Sequence, residues 1–121
     1  MDDFIDANLL ALIRHSIRAG WISVFNDPHG DFKEYSVYLS NNDLLVLTRT
    51  MLSTSPTETV YEYMISIGEN DVVGAVVSTK DKIHSPEQQL VLELFCQCAN
   101  QVVAQEMRGL FNSQVEKIHH C

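Results

Sequence analysis

The chain has 121 residues, 45% of them hydrophobic and 20% charged, a composition that fits one globular domain and excludes a disordered chain. Sixteen Asp and Glu against eight Lys and Arg give a formal charge of -8, which argues against direct contact with nucleic acid or an anionic membrane, because both need clustered cations. Apolar runs fall far short of the ~20 residues that span a bilayer, and the acidic start at Asp2, Asp3 and Asp6 is wrong for a targeting peptide. Three cysteines with no framework spacing point to reduced thiols and a cytoplasmic location.

The first segment places Ile5, Leu9, Leu12, Ile13 and Ile17 at three- and four-residue steps, which predicts an amphipathic helix from about Asp3 to Ala19 with Gly20 as its stop. Trp21-Ile22-Ser23-Val24-Phe25 then suits a strand. Asp27-Pro28-His29-Gly30 has the residue order of a type I turn. The alternation from Phe32 to Leu39 returns the chain, with Tyr35, Val37 and Leu39 on one face.

Leu44 to Leu52 fits two descriptions. Leu44, Leu47 and Met51 have helical spacing, while Val46, Thr48 and Thr50 suit a strand; the expectation adopted is a short helix ending before Ser53-Thr54-Ser55-Pro56. Thr57 to Ile67 and Val72 to Ser78 predict a second hairpin, in which Gly74 should mark a bulge or a close approach of backbone. Ser85-Pro86-Glu87-Gln88 supplies a capping serine, a first-turn proline and a capping-box glutamine for a long helix reaching at least Met107. That helix carries two adjacent apolar stripes, Val91, Phe95, Cys98, Val102 and Leu92, Cys96, Ala99, Val103. Two stripes are more than one sheet contact requires. Phe111, Val115 and Ile118 continue with coiled-coil spacing.

The chemistry-bearing residues form no catalytic constellation. Cys96 and Cys98 stand ~200° apart on a helix and read as small core residues. His119-His120-Cys121 sits at a chain end, where a preorganised metal site is rarely built, so no metal or other cofactor is expected. His15 and His29 read as solvated, and His84 as the end of a loop. There is no G-x-S-x-G elbow, phosphate-binding glycine loop or H-E-x-x-H, so the chain is expected not to be an enzyme. The strand aromatics suit either cross-strand core packing or a ligand pocket, and a pocket would gather Trp21, Tyr61 and Tyr63.

These elements predict an α+β fold: an antiparallel sheet of four to five strands with N- and C-terminal helices packed against it, in the order α-β-β-α-β-β-α with the central element in question. One domain would span residues 1–110, with 111–121 as a helical extension or tail. Gly68-Glu69-Asn70-Asp71-Val72-Val73-Gly74-Ala75-Val76-Val77, followed by Ser85-Pro86-Glu87-Gln88-Gln89-Leu90 and a helix with Leu94, Ala99, Val102 and Val103, resembles the C-terminal half of GAF domains. The first helix with Trp21-Ile22-Ser23-Val24-Phe25 looks like that family's opening; the roadblock fold is similar in element order. The resemblance implies a GAF/profilin-like regulatory or sensory fold that dimerises through its terminal helices. It would act on a signalling or transcription partner, with or without a small-molecule ligand.

For the homodimer, the residues expected at the interface are Leu9, Ile13, Val91, Phe95, Val102, Phe111 and Val115. An alternative is an acidic protein-binding adaptor. Small acidic chains of this element order resemble bacterial secretion chaperones, which are dimers that hold an unfolded partner segment. An antagonist that imitates a larger regulator's dimer face is a further alternative.

Overall fold

A computed structural model of the protein describes residues 5–68, 71–79 and 82–119, with side chains described up to residue 110. Helix α1 spans Ala7–Ala19 and α2 spans Pro86–His119, and between them run strands β1 (Ser23–Asn26), β2 (Phe32–Tyr38), β3 (Leu44–Thr54), β4 (Thr59–Ile67) and β5 (Asp71–Ser78). The strands form one antiparallel sheet in sequence order, β1 to β5. This is the α+β class that the sequence implies, with five strands.

Local chemistry explains most of the boundaries. Asp6 caps α1 by accepting from the Leu9 N–H at 2.7 Å. Gly20 ends α1 in an extended conformation, φ -99°, so the need for glycine here is space. A Cβ there would stand 3.1 Å from the Ser16 carbonyl oxygen and 3.4 Å from Val37 Cγ2. In the β1–β2 turn Asp27 accepts twice, through its carbonyl from Gly30 and through its side chain from the His29 N–H, both at 2.9 Å. Gly30 sits at φ 80°, where a side chain would be strained. The capping box of α2 is reciprocal, with Gln88 N–H to Ser85 Oγ and Ser85 N–H to Gln88 Oε1, each 3.3 Å.

The central segment corrects the expected helix. Residues 44–54 are the middle strand of the sheet, paired with β2 from Leu44 to Thr50 and with β4 from Leu45 to Thr54. The helical spacing of Leu44, Leu47 and Met51 is incidental to a strand with apolar residues on both faces. Two ladders outweigh the little that an isolated short helix offers. Gly74 pairs with Ile65 while the next residue, Ser66, pairs with Val72, so Val73 is the extra residue of a bulge beside the glycine, as expected.

One face of the sheet carries the core. Tyr35, Val37, Leu45, Leu47, Ile65 and Val76 are buried there against Ile13 and Ile17 of α1 and Val91, Leu94, Phe95 and Cys98 of α2. Helix α1 lies over the corner nearest the β2–β3 loop, where Ser16 Oγ accepts from the Ser40 N–H at 3.1 Å. Helix α2 starts beyond the end of β5 and crosses the sheet to the corner where α1 ends. Phe95 marks the crossing, 5.0 Å from the Tyr35 ring on β2 and 5.2 Å from the Tyr63 ring on β4. The helix is continuous through Gly109 to His119, so it includes most of the residue 111–121 extension.

Candidate functional site

Helix α2 presents three different flanks. The first, Val91, Leu94, Phe95 and Cys98, is buried on the sheet. The second meets α1: Gln101 Nε2 donates to the Arg18 carbonyl at 3.1 Å, and Gln105 Nε2 to the Gly20 carbonyl at 2.8 Å. Arg14 and Glu93 add an ion pair of 2.8 Å across the same seam. The third flank is packed only in part: Leu92 and Ala99 lie against the core, while Val103, Met107 and Leu110 are exposed. Leu92 and Leu110 are each nine residues from Gln101, about 900° and so half a turn round the helix. Between them lie exposed Cys96, half-buried Ala99, and Val103 and Met107 at 52% and 64% exposure, with Leu110 at 66%.

After Gln105 the helix leaves the body of the domain. Residues 106–110 are all exposed. Five consecutive residues turn through about 500°, so every side of the helix faces solvent there.

At the β1 edge the inner sheet face is uncovered. Strand β1 is exposed along its whole length, including Val24 and Asn26, which align with Tyr35 and Lys33 of β2. Lys33 and Arg49 are directly opposite each other on β2 and β3. Like charges in that register repel. Each is instead placed against rings: the Arg49 guanidinium is 4.7 Å from the Tyr61 centroid and 5.8 Å from Phe95, and Lys33 Nζ is 5.7 Å from Tyr35. Burial pushes the Tyr63 hydroxyl above its ordinary pKa, and nearby Arg49 opposes that shift. Among the described residues, Arg14–Glu93 is the one ion pair.

The expected pocket is not assembled. Tyr61 and Tyr63 are neighbours, 6.1 Å between ring centroids on β4, but Trp21 is 79% exposed ahead of β1. Register puts Trp21 beyond Ser23–Ser36 and Tyr61 beside Met51, at opposite ends of the sheet and three strands apart. The expected dimer residues also divide. Ile13, Val91 and Phe95 are buried in the protomer's own core, so they offer nothing to a second copy; Leu9 and Val102 are half-buried against that core. The side chains of Phe111 and Val115 lie outside the described residues. Of the neighbouring stripe that the sequence shows, Leu92 and Ala99 pack against the core, Cys96 borders the cleft between the helices, and Val103 is left exposed.

The cysteines differ from each other. Cys98 is buried, its thiol pushed up to about 12 by desolvation, while Cys96 is exposed, which corrects the expectation that both are core residues. His15 and His29 are exposed. The His84 carbonyl accepts from Gln89 Nε2 at 3.1 Å, while its ring Nδ1 is buried without a partner among the described residues. A cleft of about 410 Å³ runs between the helices, lined by Arg14, Arg18, Glu93, Cys96, Gln97 and Asn100. It is open and polar, and Glu93 already neutralises Arg14.

Among the described residues no three His, Cys, Asp or Glu side chains are grouped to hold a metal, and no helix is long and apolar enough to cross a membrane. No protein-family model, curated protein or solved structure matches the chain.

Proposed function

We propose that the chain is a non-enzymatic, GAF-like regulatory domain that works as a homodimer built on its terminal helices and modulates a signalling or transcription partner. The observation that carries this proposal is the exposure of residues 106–110 of α2, with Met107 and Leu110 uncovered. Apolar side chains grouped in solvent on a helix are what a second surface covers. The same helix is tied to α1 and to the sheet, so a change in packing at either travels along it. A ligand or partner drives such a change only by preferring one packing over the other. The reduced cysteines support a cytoplasmic location.

Native mass spectrometry of the full chain tests this function. A dimer is expected, and mass retained beyond two chains would identify a small-molecule trigger. A monomer at all concentrations would contradict it. The outer face of the sheet favours one other function, the acidic adaptor that holds a partner segment. Phe25, Leu52 and Val72 are exposed on or beside that face, and among the described residues no helix covers it. An empty dimer that captures an unfolded segment along this face would support the adaptor.

A further inference from the structure

The hydrogen-bond phase of the sheet decides what β1 offers to solvent. The Asp27 N–H donates to the Phe32 carbonyl at 2.9 Å, and the Met51 N–H to the Asp31 carbonyl at 2.7 Å. Bonded and non-bonded pairs alternate in an antiparallel ladder, so even-numbered residues of β2 bond to β1 and odd-numbered ones to β3. Ser23 and Phe25 therefore turn their backbone groups to β2. Val24 and Asn26 turn theirs outward, where their N–H and C=O groups have no partner among the described residues.

The two edges of the sheet are built differently. On β5 the bulge at Val73 breaks the register, and α2 packs against that strand. β1 keeps an unbroken register with β2, and residues 21–26 contain neither a charge nor a proline, the common guards of an open edge. Its one guard is its length of four residues. Val24 is 38% exposed on the inner face and Phe25 56% exposed on the outer, so an added strand meets apolar side chains on both faces.

Charge decides what kind of strand fits. Asn26, Lys33 and Arg49 form one row across β1, β2 and β3 on the inner face. Among the described residues neither cation has an ion-pair partner, in a chain of net charge -8. A strand added outside β1 lies about 10 Å from β2, two strand spacings, a gap that a lysine and a glutamate side chain span together over Asn26. A second copy of β1 brings no carboxylate to this row, because residues 21–26 are uncharged. We propose that the β1 edge is a strand-addition site, and that its occupant is an extended, acidic segment of a partner protein with a carboxylate on the Lys33 face. Backbone bonds to Val24 and Asn26 give affinity, and alternate side chains give selectivity. The site is separate from α2, so the proposal goes beyond the homodimer and does not depend on it.

Selection of displayed random dodecapeptides on the full chain tests this. Enriched peptides should alternate β-branched residues with Asp or Glu. With such a peptide bound, amide hydrogen exchange at Val24 and Asn26 should slow about tenfold or more, while Phe25, already bonded to β2, should change little. Val24→Pro removes an outward N–H and no bond to β2, and should weaken binding about tenfold or more. Lys33→Glu should shift the enriched charge from Asp and Glu to Lys and Arg. No enrichment, or peptides that bind Val24→Pro as tightly as the wild type, would overturn the site. Enriched peptides with no acidic preference would overturn the occupant. Val24 and Asn26 amides already slow in the free chain, and slower at higher concentration, would assign the edge to a second copy instead. The exchange measurement uses the wild type and stays decisive if Val24→Pro fails to fold.

Discussion

The Gln105 side-chain amide donates to the Gly20 carbonyl at 2.8 Å, fastening the end of α1 to the point where α2 leaves the body. Both partners are tightly placed, since Gln105 is buried and Gly20 has no room for a side chain beside Ser16 and Val37. Gln105→Leu removes the donor and leaves a half-buried carbonyl unpaired, at a cost of about 1–2 kcal/mol. Gly20→Ala forces a Cβ against backbone and should cost about 1 kcal/mol through crowding. Urea unfolding followed by circular dichroism measures both. An unchanged midpoint for Gln105→Leu would mean that the bond contributes nothing.

Phe95 belongs to the fold, not to an interface. Its ring packs edge-on to Tyr35 and Tyr63 and lies under Arg49. Phe95→Ala opens a cavity among these groups and should destabilise the chain by about 3 kcal/mol or more. Val103→Ala, on the free flank, should change the stability of the isolated protomer by less than about 0.5 kcal/mol. Denaturation at low protein concentration separates the two. Equal losses would put Val103 in the core.

The thiols should separate by reactivity and by pH. Cys96 is exposed and should react with a disulfide reagent in the native state, while Cys98 should react only on unfolding. The folded chain raises the Cys98 pKa from its ordinary value of 9.0 to about 12. The contribution is therefore fully present below pH 9 and is lost as pH rises from about 9 to about 12, where only the unfolded chain ionises readily. Tyr63 acts in the same direction. Urea midpoints at about pH 7 and about pH 10.5 should fall further apart in the wild type than in Cys98→Ala. An identical alkaline decline in the two proteins would remove Cys98 as its source.

The parts of the fold legible in the sequence are those set by neighbouring residues. Ser85 with Gln88, Asp27 with Gly30, and the alternation of Tyr35, Val37 and Leu39 each act within a few positions, and each forms as expected. β3 was not legible because its partners are distant. Arg49 pairs with Lys33 on one side and Tyr63 on the other, and only those ladders distinguish strand from helix. The free flank of α2 was half legible. Two apolar stripes are plain in the sequence, but which one faces the sheet depends on how α2 crosses it. Burial of Val91 and Phe95 assigns the core stripe and leaves Val103 outside. Tyr61 and Trp21 are both aromatic and both stand in segments whose sequence suits a strand, yet Trp21 lies ahead of β1 and the sheet's register separates the two.

Sedimentation velocity of the wild type and Val103→Glu, with circular dichroism of both, tests self-association through the free flank of α2 most directly. The wild type should sediment as a dimer. Val103→Glu should sediment as a monomer of unchanged helix content, because residue 103 is 52% exposed in the protomer and lies on the apolar side of α2 that a second copy would cover. A monomeric wild type, or a Val103→Glu protein that dimerises like the wild type, would contradict it.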